Sequence, residues 1–568
     1  MPLPGRPLVR LLVLVLGVCA GGSALGANAP IRAPHGMVVS QNAIASEIGV
    51  EVLRAGGSAV DAAVATGFAL AVVHPTAGNI GGGGFLVYRP AEGEAVTYDF
   101  RERAPAGAHP EMWLDENGAY DYEKHHSSHL AVGVPGTVAG LYFAWEDAGK
   151  LEWKRLVAPA IALARDGFVV SDGLARSING TGMRRMAPYP ASVAQFTRDG
   201  EPLRPGDVLR QPDLADTLER IAEQGPAGFY EGRTADLLVA EMEANGGLIT
   251  HRDLRDYRAV KRAPIRGTYR GYGILGMPPP SSGGITMVQM LNVLEGYDLA
   301  ASGFGSARTI HLMTEAMRRG YANRARFLGD PDFNPEMPVE MLISKEFAQG
   351  LRATIDEDEA SVSSPDDFEW PEESPETTHF SVVDAERNAV SLTYTLEYSY
   401  GSGIVVPGAG FLLNNEMGDF NAKPGLTDER GLIGTAPNLA EPGKRMLSSM
   451  SPTIVEKDGE LFMVTGSPGG RTIINTTLQT VLNVVDHGMN AQAAVDAGRF
   501  HHQWLPDVID YEAQMFSPDT LAILESWGHA LDDTDGQGVA EVIVVNPEDG
   551  WLEGGVDRRP PDGGAIGY

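Results

Sequence analysis

The 568-residue chain contains one cysteine, Cys19, and that residue lies in a segment composed like a secretory signal. Arg6 and Arg10 precede an apolar run from Leu11 to Ala20, and Ser23-Ala24-Leu25-Gly26-Ala27 supplies small residues for cleavage. Removal of residues 1–27 would leave a mature chain without any thiol, which excludes disulfides, cysteine nucleophiles and cysteine-ligated metals together. Val18 is a poor residue ahead of a lipid-modified cysteine, so the chain is expected to be exported, periplasmic or secreted, without a lipid anchor. The ten apolar residues from Leu11 to Ala20 are too few to cross a bilayer as a helix, and no stable membrane span is expected. Positive charge is also scarce. The 44 Lys and Arg stand against 75 Asp and Glu, a formal net charge of −31, and this excludes nucleic acid as a partner because a phosphate backbone needs a basic face.

Metal signatures are missing as well. His125-His126 and His501-His502 are adjacent pairs, which would point to different sides of a strand or helix, and neither has the i,i+4 spacing of a helical metal pair. The run Gly78 to Gly84 is followed by no Gly-Lys-Ser/Thr and preceded by a helical pattern, so it reads as a close-packed turn rather than a phosphate cradle. No metal and no cofactor are expected.

What is present is an ordinary globular composition, 43% hydrophobic, with 69 Gly and 38 Pro to make turns. Asn42 caps a helix over 42–55 that closes at Gly56-Gly57, and Ser58 caps a second over 59–73, apolar all round and therefore buried. Helical spacing recurs at Trp153–Arg165, Leu214–Gln224, Arg233–Asn245, from about Thr286, and at Ile310–Leu328, the last with a basic face. Strands are expected at Phe85–Tyr88 and Ala95–Phe100, the second ending in Arg101, where a carboxylate-binding fork could be presented.

From Asp356 to Glu376 there are ten acidic residues, three prolines and no Lys or Arg, a segment that should be exposed and flexible. It stops at Thr377-Thr378. His379–Asp384 and Ala389–Leu396 then have strand composition around Ala385-Glu386-Arg387-Asn388. Pairing Asp384 with Ala389 sets Thr378 opposite Thr395 and Thr377 opposite Leu396, which brings the Thr395 hydroxyl near Thr377. If the preceding peptide bond is broken, Thr377 carries its own base, an α-amine with pKa about 7.7–8.0 in model peptides. Downstream, Gly466-Ser467-Pro468-Gly469-Gly470-Arg471-Thr472 opens an apolar helix and would present backbone N–H groups to an anion.

Gly78–Phe85, Asp99-Phe100-Arg101-Glu102, Val134-Pro135-Gly136-Thr137, Pro278–Gly284, Leu328-Gly329-Asp330-Pro331, Thr377–Asp384, Leu412–Phe420, Ser448-Ser449 and Pro468-Gly469-Gly470 follow one another in order. In these motifs the chain resembles a γ-glutamyltransferase (γ-glutamyl transpeptidase), an N-terminal nucleophile hydrolase, from about residue 34 to the C-terminus. The resemblance implies an α+β fold, a four-layer αββα sandwich, and self-cleavage between Glu376 and Thr377. Its products would be a large subunit, 28–376, and a small one, 377–568, that remain together as a heterodimer. It further implies Thr377 as nucleophile with Thr395 hydrogen-bonded to it, and Gly469 and Gly470 as the oxyanion hole. Arg101, Ser448 and Ser449 would bind the donor α-carboxylate, and Glu416 and Asp419 its α-ammonium. The donor would be a γ-glutamyl amide, glutathione being the family's usual one, and the acceptor water or an amine.

Two positions depart from the family's common pattern. Glu397 stands where many members have asparagine and adds a third carboxylate near the donor amine. Arg430 lies where several members have a lid tyrosine, in the Pro- and Gly-rich stretch 421–444. Two alternatives stand beside this reading: a glutaryl-type (cephalosporin) acylase of the same fold, and a non-catalytic periplasmic amino-acid-binding relative.

Overall fold

The computed structural model describes residues 29–364, 377–425 and 434–568. The signal-like segment, Glu376 and Arg430 lie outside these residues. Two seven-stranded sheets stack face to face. One runs Gly564–Gly567, Met37–Ser40, Thr378–Val383, Ala389–Thr395, Gly83–Arg89, Val96–Phe100, Val260–Arg262 in spatial order. The other runs Ile31–Ala33, Leu552–Val556, Glu541–Val545, Glu460–Gly466, Thr453–Lys457, Tyr272–Gly276, Ile265–Tyr269. Helices Ala43–Arg54, Ala59–Val73 and Thr137–Ala148 cover the outer face of the first sheet, and Gly283–Leu294, Ala307–Phe327 and Thr472–Val485 lie outside the second. This is the four-layer αββα arrangement that the motifs imply.

The alternation of side chains on the central strand shows how the layers are filled. Phe380 and Val382 point to the helical core with Leu392 and Tyr394, whereas Val383 joins Val39, Val87, Ile454 and Val464 between the sheets. The same inter-sheet layer takes polar groups where backbone acceptors await them. The Ser381 hydroxyl donates to the Glu541 carbonyl at 3.1 Å, and that of Ser391 to the Thr465 carbonyl at 2.9 Å.

The two N-terminal helices match their sequence signals. Asn42 accepts from the Ile44 N–H, and Ser58 and Asp61 close a capping box on Ala59–Val73, every residue of which is buried. On the first helix, however, the buried face is Ala45, Gly49, Val50, Val52 and Leu53, with Ile44 and Ile48 only half-buried.

The hairpin register differs by one residue from the expected one. Val383, not Asp384, pairs with Ala389, and Thr378 lies opposite Tyr394. The cause is the turn. Asp384 N–H donates to the Asn388 carbonyl, so the loop is three residues, Ala385 to Arg387, with Arg387 at φ 68° in the left-handed region. Asp384 shapes it by accepting from the Glu386 and Asn388 N–H groups, and its other oxygen accepts from the Ala59 N–H at the start of the buried helix. Continuing the register toward the open end brings Thr377, rather than Thr378, level with Thr395.

Residues 365–376 of the acidic segment lie outside the described residues; before them Asp356–Glu359 are exposed, as their composition requires, and Ser361 and Ser363 are tied down. Ser361 donates twice to Glu315 and Ser363 N–H donates to Asp507. Burial would raise the Glu315 carboxyl, yet Arg318, Ser361 and Arg319 outweigh it and hold the group down at about 2. Because the folded value is depressed, this anchor stabilises fully above the ordinary carboxylate range and is lost as pH falls through about 2. Pepsin should therefore cut residues 356–364 faster at pH 2 than at pH 4, relative to an unstructured control peptide. Glu315→Ala should expose the same bonds to proteolysis at pH 7, and equal protection of variant and parent would overturn the assignment.

Candidate active site

One pocket gathers nine of the ten sequence-predicted site residues: Arg101, Thr377, Thr395, Glu397, Glu416, Asp419, Ser448, Ser449 and Gly470. The tenth, Gly469, lines an adjoining cavity of about 470 Å³ together with Thr377, Pro468, His74 and Gln41. Thr377 thus stands at the septum between a polar pocket and a larger chamber. The polar pocket keeps only about 20 Å³ of open space, room for a water or two and not for an amino-acid head group. A ligand can enter only as the polar side chains part.

Those side chains are mutually bound. Arg101 is completely buried at the end of strand Val96–Phe100, and its guanidinium donates to Glu416 and Asp419 and to the carbonyls of Met446 and Leu447. Burial alone would weaken its hold on the proton, but Glu416, Asp419 and Glu102 reverse this and keep it firmly cationic. The carboxyl of Glu416 is raised well above its ordinary value by burial, opposed by Arg101 and reinforced by Glu102, Asp419 and Glu397. Glu102 is pushed by burial up to about 8, with Arg101 opposing the rise. Too many carboxylates share one guanidinium for all to ionise.

Glu416 and Asp419 sit on one short turn, Glu416–Asp419, after the strand-like run that ends at Asn414. Asn414 fixes that turn: its side chain accepts from the Glu416 and Gly133 N–H groups and donates to the Gly81 and Gly133 carbonyls. Ser448 and Ser449 follow the carbonyls that hold Arg101, and the Ser449 hydroxyl accepts from Arg324 at 3.1 Å.

At the nucleophile end, Thr395 Oγ1 accepts the Glu397 N–H at 2.8 Å. Glu397 has φ 77°, a left-handed backbone that costs a β-carbon-bearing residue on the order of 1–2 kcal/mol. Gly469 and Gly470 have φ 132° and 54° and precede helix Thr472–Val485. Among the described residues no acceptor takes either N–H, so both are available to an oxyanion.

Four contributing side chains escaped the reading of the sequence. Asn79 donates to the Thr395 carbonyl at 2.8 Å and accepts from Gly82 N–H and Thr137 Oγ1. A β-carbon on Gly82 would overlap that same carbonyl, which is why the glycine-rich turn can pack against the site. Arg324, part of the basic face of the long helix Ala307–Phe327, is buried. His125 and His126 are not on opposite sides. Adjacent helical residues diverge by only about 100°, and at the end of Tyr122–His126 both rings, 4.4 Å apart, reach the Glu416–Asp419 turn.

For a metal, the described residues offer His311, Glu315 and His529, whose ligand atoms lie within 4.8 Å of one another. Glu315 is already committed to Arg318, Arg319 and Ser361, and His311 Nδ1 and His529 Nε2 bond each other at 2.8 Å. In the active pocket the carboxyl groups of Glu416 and Asp419 are already engaged by the Arg101 guanidinium.

The gamma-glutamyltranspeptidase family model matches residues 45–568. The glutathione hydrolase proenzyme of Escherichia coli K12 is 50% identical over 542 residues, 95% of this chain and 93% of that one. Among solved structures, the cephalosporin acylase from Bacillus halodurans superposes with a TM-score of 0.83 at 28% identity, covering 95% of this chain and 97% of that one. The gamma-glutamyltranspeptidase of Helicobacter pylori gives 0.55 at 46% identity over 56% of this chain and 91% of that one. Gly469→Ala would drive a β-carbon into the Thr472 hydroxyl and to 3.0 Å from Gly538 Cα. It should lower kcat about 10²-fold while leaving the far-ultraviolet circular dichroism unchanged, and a kcat within twofold of the parent would remove Gly469 from the reacting centre.

Proposed function

This chain belongs to the gamma-glutamyltranspeptidase family, and from that premise we propose that it opens γ-glutamyl amides such as glutathione and passes the acyl group to water or to an amine. The observation that carries the reading is the buried charge cluster beside Thr377. A γ-glutamyl donor ends in a zwitterion. Its α-carboxylate replaces Glu416 and Asp419 at Arg101, and its α-ammonium replaces Arg101 at those carboxylates, so the number of ion pairs is conserved while the head group enters. Ser448 and Ser449 add donors on the carboxylate side. A glutaryl group, lacking the ammonium, would leave the carboxylates uncompensated, which disfavours the acylase alternative.

Before this chemistry the precursor must be cut. Thr377 Oγ1 adds to the Glu376 carbonyl, the peptide N is released as the new α-amine, and water opens the resulting ester. Residues 28–376 and 377–568 then form two subunits. Their cohesion follows from topology: strands from before and after the cut lie side by side in both sheets, with Thr378–Val383 paired to Met37–Ser40 and Ala389–Thr395 to Gly83–Arg89.

In the mature enzyme the Thr377 amine takes the hydroxyl proton as Oγ1 attacks the γ-carbonyl. The Thr395 hydroxyl steadies the nucleophile, and the N–H groups of Gly469 and Gly470 receive the oxyanion. Collapse breaks the C–N bond, the amine proton goes to the leaving amine, and that product departs through the larger chamber. Water or an acceptor amine, deprotonated by the Thr377 amine, then attacks the γ-glutamyl ester; the acyl C–Oγ1 bond breaks, and the amine returns the proton to Thr377 Oγ1 as the product leaves. Export of the chain agrees with its N-terminal composition, and no described helix is long and apolar enough to cross a membrane.

Denaturing electrophoresis with N-terminal sequencing should show a fragment beginning at Thr377, and Thr377→Ala should remain a single chain without turnover. A fully active uncut chain would refute the mechanism. Hydrolysis of γ-glutamyl-p-nitroanilide should exceed that of glutaryl-p-nitroanilide, and the reverse order would favour the acylase. Since the base must be neutral, kcat should rise with pH through the titration of the Thr377 amine, roughly 7.7–8.0 in a model peptide.

A further inference from the structure

Glu397 reaches the donor pocket from a strained backbone, and something must hold its carboxylate there. That something is the second residue of the His125-His126 pair. His126 Nδ1 lies 3.1 Å from Glu397 Oε1, and both side chains are nearly inaccessible, at 7% and 3% exposure. The pair is seated on the backbone of Gly418: a β-carbon there would come within 2.6 Å of Glu397 Oε1 and would overlap His126 Nδ1. Gly418 belongs to the turn that carries Glu416 and Asp419. Asn415 ties the same elements together, donating to the His126 carbonyl at 3.1 Å and accepting from the Tyr398 N–H at 3.2 Å.

The neighbouring rings make this a rigid mount. His126 packs 4.5 Å from Tyr122, whose hydroxyl bonds that of Tyr398, and Tyr398 follows Glu397 directly. His125 bonds the Met417 carbonyl at 3.0 Å and lies 4.0 Å from Trp113. Its imidazole is pushed well below its ordinary value by burial and by His126, so it serves as a neutral brace.

We infer that His126 is a positioning residue that aims the Glu397 carboxylate at the donor α-ammonium, so that the His126–Glu397 pair, with Gly418 as its floor, sets the preference for γ-glutamyl over glutaryl donors. The inference rests on the proposed γ-glutamyl chemistry. The ammonium then meets three carboxylates, those of Glu397, Glu416 and Asp419, only one of which is oriented by a histidine. Because the interaction concerns the ammonium and not the γ-carbonyl, its loss belongs in KM and not in kcat.

The test uses the self-processed enzyme with γ-glutamyl- and glutaryl-p-nitroanilide. His126→Phe keeps a ring beside Tyr122 but has no donor for Glu397. It should raise KM for the γ-glutamyl substrate about tenfold, the loss of one charged hydrogen bond, with kcat within twofold and glutaryl KM unchanged. His126→Asn, which returns an N–H near the Nδ1 position, should recover most of the loss. In a Glu397→Gln background, His126→Phe should add nothing. Independent, multiplying effects of the two substitutions would overturn the inference, as would equal losses on both donors. Should His126→Phe fail to accumulate in processed form, His126→Asn and His126→Gln make the same comparison, one restoring the N–H at the Nδ1 position and the other displacing it. Failure of the underlying reading is distinguishable, because the parent enzyme itself would then show no preference for the γ-glutamyl donor.

Discussion

A guanidinium with no exposed surface is the constraint from which the site is built. An isolated buried cation is untenable, so Arg101 must be met by acidic groups, and the structure brings Glu416, Asp419 and Glu102 to it. None of these is near Arg101 in the chain except Glu102. The rest of the architecture supplies what that meeting requires: a strand end to present the arginine, a short turn fixed by Asn414 to present the carboxylates, and two carbonyls from 446–447 to accept two further N–H groups. The same cluster that would be expensive as an empty cavity is a mould for a zwitterion, in which each charge of the ligand finds its complement already buried and oriented.

The placement of Thr377 depends on a different device, the hairpin. Its three-residue loop sets the register, and the register decides which threonine meets Thr395 at the open end. Asp384 links that turn to the N-terminus of the buried helix, while Asn79 holds the Thr395 carbonyl from the glycine-rich turn. The catalytic end and the distal end of one hairpin are therefore both fastened to the first hundred residues. This explains why a break beside Thr377 need not separate the pieces.

The two halves of the active centre meet at Thr377. On one side is a polar pocket almost filled by its own ion pairs, and on the other a chamber more than twenty times as roomy. An acyl transfer needs this asymmetry, since the acyl head must be recognised tightly and the amine must come and go. Glu397, reached through a left-handed backbone, lies at the junction, its N–H on Thr395 and its carboxylate beside His126 in the pocket that holds Glu416 and Asp419.

Much of this was legible in the chain itself. Local signals specified the capped helices over 42–55 and 59–73, the strand that follows the glycine-rich turn and the hairpin of His379–Asp384 and Ala389–Leu396, because capping, periodicity and turn chemistry act between near neighbours. The ordered motifs carried eight of the ten site residues, the hairpin added Thr395 and the departure from the family pattern Glu397, and their types matched a guanidinium to the carboxylate and carboxyl groups to the ammonium of one zwitterion. Three things required the tertiary structure. The register slipped by one because a non-glycine residue, Arg387, adopts the left-handed conformation. The direct bonding of Arg101 to Glu416 and Asp419, and the recruitment of Asn79, Arg324 and His126, join residues tens to hundreds of positions apart, beyond any local pattern. The anchoring of the acidic tail by Glu315 depends on burial that composition cannot express. What the sequence by itself determined was the inventory of chemical groups and the elements that bear them. The tertiary structure decided which groups are buried together, and burial is what turns surface charges into a binding site.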